Sequence, residues 1–205
     1  MNIDQIKKEF PIFDNKVQNN DLVYLDSANS SQKPRIVIDR IYDFYSKEFS
    51  NVGRSVHYLA VAATNLYEQT RTSVQKYINA SDKNEIVFTK GATEAINLVA
   101  NTFGQKYLDE GDEVLITELE HHSNYVPWHF LRKSKKINIE FAEVNDQGEV
   151  TLEEIKKKIT DRTKIICVTH LSNVTGAILP IKEIVSFAHS KGIPVLVDVC
   201  QGAPH

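Results

Sequence analysis

Four short segments of the sequence carry residue types suited to chemistry at a ligand site, and the first is Lys90-Gly91-Ala92-Thr93-Glu94. Gly91 permits a tight turn and a close approach of the backbone to a ligand. The free N–H groups at a helix start, together with the Thr93 hydroxyl, would attract an anion, most naturally a phosphate. The same residues also suit a plain strand-to-helix turn in which Thr93 only caps the helix, and the segment alone does not decide.

The second segment is Glu120-His121-His122-Ser123-Asn124, which contains two adjacent imidazoles. One imidazole would serve as a flat ring against a ligand or as a proton carrier. The pair would equally suit a helix-cap loop with solvated histidines. Adjacent histidines without a matching cluster of Cys, His or Asp are poor evidence for a metal site, so no metal site is expected.

The third and fourth segments place Asn173 and Asp198 just after apolar runs. Asn173 would either hold a turn that leads to Gly176 or donate its amide to a ligand oxygen. Asp198 directly follows a buried apolar run, and an unpaired buried carboxylate is costly. Its partner would be a local backbone N–H, a lysine, or a ligand cation such as a protonated pyridine nitrogen. Gln201 follows on the same loop.

The elements that must position these segments are short apolar runs that alternate with helical patterns. Strands are predicted at residues 22–25, 85–89, 113–117, 137–144, 164–169 and 194–197. Helices are predicted at 57–78, 92–103, 123–133 and 180–191, the last followed by Gly192. Two more helices are predicted to begin near Pro34 and at the capping box Thr151-Leu152-Glu153-Glu154. Strands without polar alternation, separated by helices, indicate an α/β fold with a parallel, doubly wound sheet.

Ligands in such sheets bind beyond the carboxyl ends of the strands, so all four segments should meet at one edge. Together they supply a phosphate cradle, a flat ring, a hydrogen-bond donor and a buried carboxylate. This set suits pyridoxal 5′-phosphate (PLP), because a buried aspartate keeps the pyridinium nitrogen protonated and the ring an electron sink.

Composition narrows the class of protein further. The chain has 205 residues, 25% charged and 41% hydrophobic, with a formal charge of −3, which is typical of a globular protein and gives no electrostatic reason to expect nucleic acid or a membrane surface. No secretory signal is visible. Cys167 and Cys200 are too few for a disulfide framework, which favours a cytoplasmic protein, and both thiols are predicted to be buried.

At these segments the sequence closely resembles the SufS-like cysteine desulfurases of the class V aminotransferase family. The matching stretches are Tyr24-Leu25-Asp26-Ser27-Ala28, Ser31-Gln32-Lys33-Pro34, Gly91-Ala92-Thr93-Glu94-Ala95-Ile96-Asn97-Leu98-Val99-Ala100, Glu120-His121-His122-Ser123-Asn124 with Val126-Pro127-Trp128, Thr169-His170-Leu171-Ser172-Asn173-Val174 with Gly176, and Val197-Asp198 with Gln201. The resemblance extends over essentially the whole chain.

The resemblance implies a role for each candidate residue. Ala92 and Thr93 would bind the PLP phosphate, and His121 would stack on the pyridine ring and move protons as the catalytic residue. Asn173 would bond the ring hydroxyl. Asp198 would pair with the pyridinium nitrogen, and Gln201 would lie near the ring oxygen.

The resemblance also implies architecture and partners. The fold would be the large domain of a fold type I PLP-dependent transferase, incomplete in this chain, with residues 1–22 as an N-terminal segment and 23–205 as the PLP-binding part. Family members convert L-cysteine to L-alanine and pass the sulfur on as a persulfide. They are homodimers, and their partners are sulfur acceptors of the SufE or SufU kind that feed iron–sulfur cluster assembly.

The chain departs from the family pattern in length and at two motifs. The Ser-x-His-Lys segment with the Schiff-base lysine, and the persulfide cysteine, do not occur in these residues, so we expect an N-terminal half that is inactive alone. Val199 and Cys200 stand where the family commonly has Gly-Ala, and Gly53 stands where a histidine is frequent. Selenocysteine lyase or another class V enzyme, and a truncated non-catalytic module that binds phosphate or a dimer partner, stay open as alternatives.

Overall fold

The computed structural model of the chain describes residues 2–204, which divide into two units between Phe88 and Thr89. This division rests on the compactness of the two parts. The predicted boundary between residues 22 and 23 stays a prediction. All the candidate site residues belong to the second unit, which is therefore described at greater length.

The first unit is mainly helical. Its elements are α1 (Ile3–Lys8), a 3-10 turn (Pro11–Asp14), the antiparallel pair β1 (Lys16–Val17) and β2 (Asn20–Asp21), α2 (Arg35–Asp43) with a π-helical extension (Phe44–Glu48), α3 (Tyr58–Tyr77) and a second 3-10 turn (Lys83–Glu85). Helix α2 begins directly after Pro34, and α3 begins after His57, whose ring accepts the Ala60 N–H. The two long helices thus start where the sequence predicts.

Two predicted strands are absent from the structure. Residues 22–25 and 86–89 are extended but form no ladder with any strand in residues 2–204, and the prediction of strands there is wrong. An extended segment becomes a strand only when a neighbour accepts its backbone hydrogen bonds. The carbonyl of Ile86 is instead bonded by the Arg71 guanidinium. Leu25 is 91% exposed and Val87 64% exposed, so these apolar side chains lack a packed face.

The second unit is built on a four-stranded parallel sheet. Its elements are α4 (Ala92–Val99) with a π-helical extension (Ala100–Gly104), α5 (Gln105–Tyr107), β3 (Glu113–Thr117), a 3-10 turn (His122–Asn124), α6 (Val126–Lys135), β4 (Asn138–Ala142), α7 (Leu152–Lys158), β5 (Thr163–Thr169), α8 (Ile181–Ser190) and β6 (Val195–Asp198). The strands lie in the order β4-β3-β5-β6. The predicted helix at 123–133 starts later, at Val126, because a 3-10 turn precedes it.

Apolar side chains cover both faces of this sheet. On one face Val114, Ile116 and Cys167 pack with Trp128 and Leu131 of α6. On the other face Leu115, Ile166 and Val168 pack with Ile155 of α7 and Ile184 of α8. Successive strand residues point to opposite faces, so continuous apolar runs bury both. The predicted α/β doubly wound fold is confirmed, and so is the burial of Cys167.

Local signals for helix ends are also confirmed. The Thr151 hydroxyl accepts the Glu154 N–H at 3.3 Å and caps α7, but the second bond of the predicted capping box does not form within the described residues, where the Glu154 carboxylate accepts from Lys157 instead. Gly192, with φ of 72°, follows α8 in the left-handed conformation that favours glycine. These caps fix where the helices on one face of the sheet begin and end.

The strand order creates a point at which the chain changes direction across the sheet. From β3 the chain moves to β4 on one side, then returns to β5 on the other side of β3. The loops after β3 and β5 therefore leave neighbouring strands at a topological switch point, where open α/β sheets bind ligands. None of the described helices has the length and apolar character needed to cross a membrane.

Candidate functional site

The carboxyl ends of β3, β5 and β6 form one continuous edge of the sheet. Thr169 is the register partner of Asp198, and the next residue, His170, donates its N–H to the Asp198 carbonyl at 2.9 Å. The loop that begins at Glu118 leaves the same edge, because β3 is parallel to and paired with β5. The segments with His121, Asn173 and Asp198 therefore emerge from adjacent strands.

The N-terminus of α4 has exposed backbone donors. Gly91 is the N-cap residue and no side chain caps the helix, so the interpretation of Thr93 as a cap is wrong. The Lys90 N–H is bonded by the Glu94 carboxylate at 2.5 Å. The amides of Ala92 and Thr93, which face no side-chain acceptor within residues 2–204, match the donors that a phosphate needs.

Gly91 itself does not form the tight turn that the sequence predicts. Its φ of 161° is extended backbone, and a Cβ added at this position would meet no heavy atom within 4 Å. The steric reason for a glycine here is therefore not in the described part of the protein.

His121 lies on the loop after β3 and caps the 3-10 turn His122–Asn124. Its Nδ1 accepts the Ser123 N–H at 3.2 Å and lies 2.8 Å from Ser123 Oγ. The imidazole is exposed, and the ring of His122 meets it edge-on with centroids 6.0 Å apart. Because Nδ1 is used as an acceptor, Nε2 is the nitrogen that carries the proton in the neutral ring. The 3-10 turn also contacts α4, which brings the Thr93 helix to this loop.

Asn173 lies in the turn after β5, but a different residue holds that turn. The Ser172 hydroxyl accepts the N–H groups of Val174 and Thr175 at 3.3 Å each, and Gly176, with φ of 74°, donates to the Ser172 carbonyl. The Asn173 side chain is exposed and makes no hydrogen bond to the residues that the structure describes. Its amide is thus available to a ligand, as the second interpretation requires.

Asp198 is buried, with 8% of its surface exposed. Its Oδ1 accepts the Cys200 N–H at 2.9 Å, which is the local partner considered from the sequence. No lysine in residues 2–204 pairs with it. The second oxygen, Oδ2, has no hydrogen bond within the described residues and matches the acceptor that a ligand cation needs.

The residues after Asp198 form a turn that includes Cys200 and the half-buried Gln201. The Cys200 thiol is exposed, so the prediction that it is buried is wrong: its residue lies past the end of β6, where no helix covers it. A Cβ at Gly202 would lie 2.2 Å from Nδ1 of His170. This turn therefore packs directly on the loop that carries Asn173.

Glu120 is the residue of this edge to which the sequence analysis gave no role. Its carboxylate accepts hydrogen bonds from Thr117 Oγ1 at 2.6 Å, Asn124 Nδ2 at 2.6 Å and Thr169 N at 2.8 Å. Burial, together with the nearby Asp198 carboxylate, raises its pKa to about 7 despite these bonds. The sequence held one signal for this role, a carboxylate between an apolar strand and a histidine.

Taken together, the donors and the acceptor fit the PLP that the sequence predicts. A phosphate matches the uncapped N-terminus of α4, and a pyridinium matches the second oxygen of buried Asp198. The His121 ring and the Asn173 amide are exposed on the loops that follow β3 and β5. The individual roles of Ala92, Thr93, His121, Asn173, Asp198 and Gln201 stay predictions.

Comparison with known proteins identifies relatives over the whole chain. The profile of the family described as aminotransferase class-V matches residues 23–205. A probable cysteine desulfurase of Halalkalibacterium halodurans is 46% identical over 205 residues, covering 100% of this chain and 50% of that protein. The chain thus spans about half the length of the curated relatives it matches.

Solved structures agree with this result. A cysteine desulfurase from Escherichia coli has a TM-score of 0.85 at 36% identity, covering 100% of this chain and 50% of its own. The apo structure of a cysteine desulfurase from Thermococcus onnurineus has a TM-score of 0.86 at 34% identity, covering 95% of this chain and 46% of its own. With its parallel sheet, its edge of ligand-type side chains and this match, the chain belongs to the class V aminotransferase family.

Proposed function

We propose that this chain forms the cofactor-binding part of a PLP-dependent cysteine desulfurase, an enzyme that converts L-cysteine to L-alanine and retains the sulfur as a persulfide. The observation that carries the proposal is a sheet edge that has the buried, half-partnered Asp198 carboxylate and a loop in contact with α4, whose N-terminus has no side-chain cap. The relatives named cysteine desulfurase support the substrate and the reaction.

In this proposal the chain's residues bind and polarise the cofactor. PLP, when bound, supplies an electron sink that stabilises negative charge at the carbon next to the amino group of the substrate. The backbone amides of Ala92 and Thr93 hold the phosphate, which the dipole of α4 favours. Asp198 holds a proton on the pyridine nitrogen by ion pairing in a buried setting, where the interaction is strong.

The remaining predicted residues orient the ring and move protons. His121 stacks on the ring with Nδ1 fixed by Ser123, so its Nε2 is the nitrogen that exchanges a proton. Asn173 and Gln201 bond oxygens on the ring. The lysine and the cysteine that complete the reaction in the family are not among the motifs of this chain.

The wider setting of the enzyme is part of the same proposal. We infer a homodimer that passes sulfur to an acceptor of the SufE or SufU kind for iron–sulfur cluster assembly, as the family resemblance implies. We also infer a cytoplasmic location. Both cysteines are free and the Cys200 thiol is exposed, which suits a reducing compartment.

The proposal is tested with protein expressed from the complete reading frame in the presence of PLP. We expect a visible absorption band from bound cofactor and equal amounts of alanine and sulfide released from L-cysteine with a thiol reductant. Selenocysteine as the only accepted substrate would indicate the lyase instead. A colourless protein that neither binds PLP nor consumes cysteine would contradict the proposal and favour a non-catalytic module.

A further inference from the structure

The half-buried Glu120 carboxylate joins two loops at the switch point of the sheet. On one side it is bonded by Thr117 Oγ1 at 2.6 Å, at the end of β3, and by Asn124 Nδ2 at 2.6 Å, at the end of the 3-10 turn. On the other side it is bonded by the Thr169 N–H at 2.8 Å, at the end of β5. His121 follows Glu120 in the sequence, and it therefore lies between the bonded residues Thr117 and Asn124 of the same loop.

We propose that Glu120 is a positioning residue of the proposed cofactor site, which holds the His121 loop against the carboxyl end of β5. The inference rests on the proposed function, because His121 and Asp198 are the residues assigned to the cofactor there. Glu120 acts through these residues and has no assigned contact with cofactor or substrate.

The hydrogen bonds explain how Glu120 positions the loop in either protonation state. A hydroxyl both donates and accepts, so Thr117 Oγ1 donates to the carboxylate and accepts from the carboxylic acid. Asn124 is fully buried and its Oδ1 has no hydrogen-bond partner within the described residues. Rotation of that amide would present Oδ1 as an acceptor. A neutral Glu120 could then donate its proton to Oδ1, and a glutamine at this position could donate its N–H in the same way.

Other titratable groups around Glu120 belong to β5, to β6 and to its own loop. Asp198 on β6 acts on Glu120 electrostatically, and Glu120 acts on the buried Cys167 thiol of β5, whose pKa is raised chiefly by burial. The imidazole of His121 is adjacent in the chain. The pKa of Glu120 is raised to about 7, mainly by burial and in smaller part by the Asp198 carboxylate.

The first test needs no cofactor and uses nuclear magnetic resonance on apo protein from the complete reading frame. The Thr169 amide shift should titrate with a midpoint near pH 7 in the wild type, because its acceptor is the Glu120 carboxylate. Glu120→Gln should abolish that titration. The control is Glu118→Gln, since Glu118 lies on the same loop but accepts the Val144 N–H, and it should leave the titration unchanged.

The second test concerns positioning. Glu120→Ala should shift the His121 imidazole signals in the apo protein and weaken PLP binding about tenfold, because three donors lose their common acceptor and the loop is no longer held. Glu120→Gln should restore both to within about threefold, because it keeps the hydrogen bonds. Should Glu120→Ala not fold, Thr117→Val takes its place, with a smaller change in the same direction.

The outcomes separate this inference from the proposed function. If no protein binds PLP, the proposed function fails, while the Thr169 titration and the His121 shifts still measure the positioning. If Glu120→Ala or Thr117→Val folds with unchanged His121 signals and unchanged PLP affinity, the inference is overturned. A Thr169 titration that persists in Glu120→Gln would overturn it as well.

Discussion

At the scale of single residues, the two carboxyls of the sheet edge have different environments. One oxygen of Asp198 accepts a local backbone N–H, and the other has no hydrogen bond in residues 2–204. Glu120 has both oxygens bonded and a pKa raised to about 7.

Asp198→Asn should weaken PLP binding in protein from the complete reading frame and should abolish alanine formation. An amide cannot supply the negative charge that keeps the pyridinium protonated, and a buried ion pair that loses one partner costs ~3–5 kcal/mol. The control is Asp146→Asn, an exposed carboxylate in the turn at Gly148. Equilibrium titration with PLP measures the effect, and equal affinity in both variants would refute the role of Asp198.

The stability of the chain should depend on pH through Glu120. Its pKa is about 7 when folded, against 4.5 for the ordinary group, so the folded state holds the proton more tightly. The stability that Glu120 contributes through this tighter proton binding is fully present below pH 4.5 and is lost as the pH rises to 7. The loss is on the order of 3 kcal/mol.

Urea unfolding of the wild type and Glu120→Gln at several pH values measures this loss. The difference in unfolding free energy between the two proteins should move in favour of the variant between pH 4.5 and 7, because glutamine has no proton to lose. A difference that stays constant over this range would show that folding does not raise the pKa of Glu120.

At the scale of elements, the turn after β6 is fitted to the loop after β5. The absence of a side chain at Gly202 leaves room for the His170 imidazole, since a Cβ there would lie 2.2 Å from Nδ1. The His170 N–H is bonded to the Asp198 carbonyl at 2.9 Å. The backbone on either side of the proposed pyridinium partner is therefore held by close packing as well as by the sheet.

Gly202→Ala should destabilise the protein by about 1–3 kcal/mol, because the methyl group overpacks this contact. Removal of the imidazole should relieve the clash, so His170→Ala in the Gly202→Ala protein should cost less than His170→Ala alone. A double-mutant cycle from urea unfolding measures this coupling. Additive effects of the two substitutions would show that the contact is absent.

Sequence patterns predicted the elements of the second unit better than those of the first. Buried runs such as 113–117 and 163–169 formed strands because each has a parallel neighbour. The run at 22–25 has similar residue types but lacks a partner strand within residues 2–204, and partners are not encoded locally. The site edge was predictable from the α/β alternation. The bonds of Glu120 were not, because they join residues 49 positions apart.

At the scale of the whole molecule, the first unit exposes many large apolar side chains. Those on α2 and its surroundings include Ile36, Ile38, Ile41, Tyr42, Tyr45 and Phe49, and Val56 is 95% exposed. Monomeric soluble proteins rarely expose contiguous apolar surface of this kind. The chain spans about half the length of the curated relatives it matches.

Residues 1–205 expressed alone should therefore self-associate and bind a dye that fluoresces on apolar surfaces. Protein from the complete reading frame should bind less dye per chain and elute as a defined oligomer. Size-exclusion chromatography with light scattering and dye fluorescence measure both properties. A monomeric 205-residue chain that melts cooperatively and binds no dye would contradict this expectation.

The central claim is that one edge of the sheet binds PLP through α4 and Asp198. The most direct test is a crystal structure of protein from the complete reading frame with PLP bound. We expect the phosphate to lie within hydrogen-bond distance of the Ala92 and Thr93 amides. We also expect the pyridine nitrogen to lie within hydrogen-bond distance of an Asp198 carboxylate oxygen. A cofactor bound far from the Ala92 and Thr93 amides and from Asp198 would contradict the proposed site.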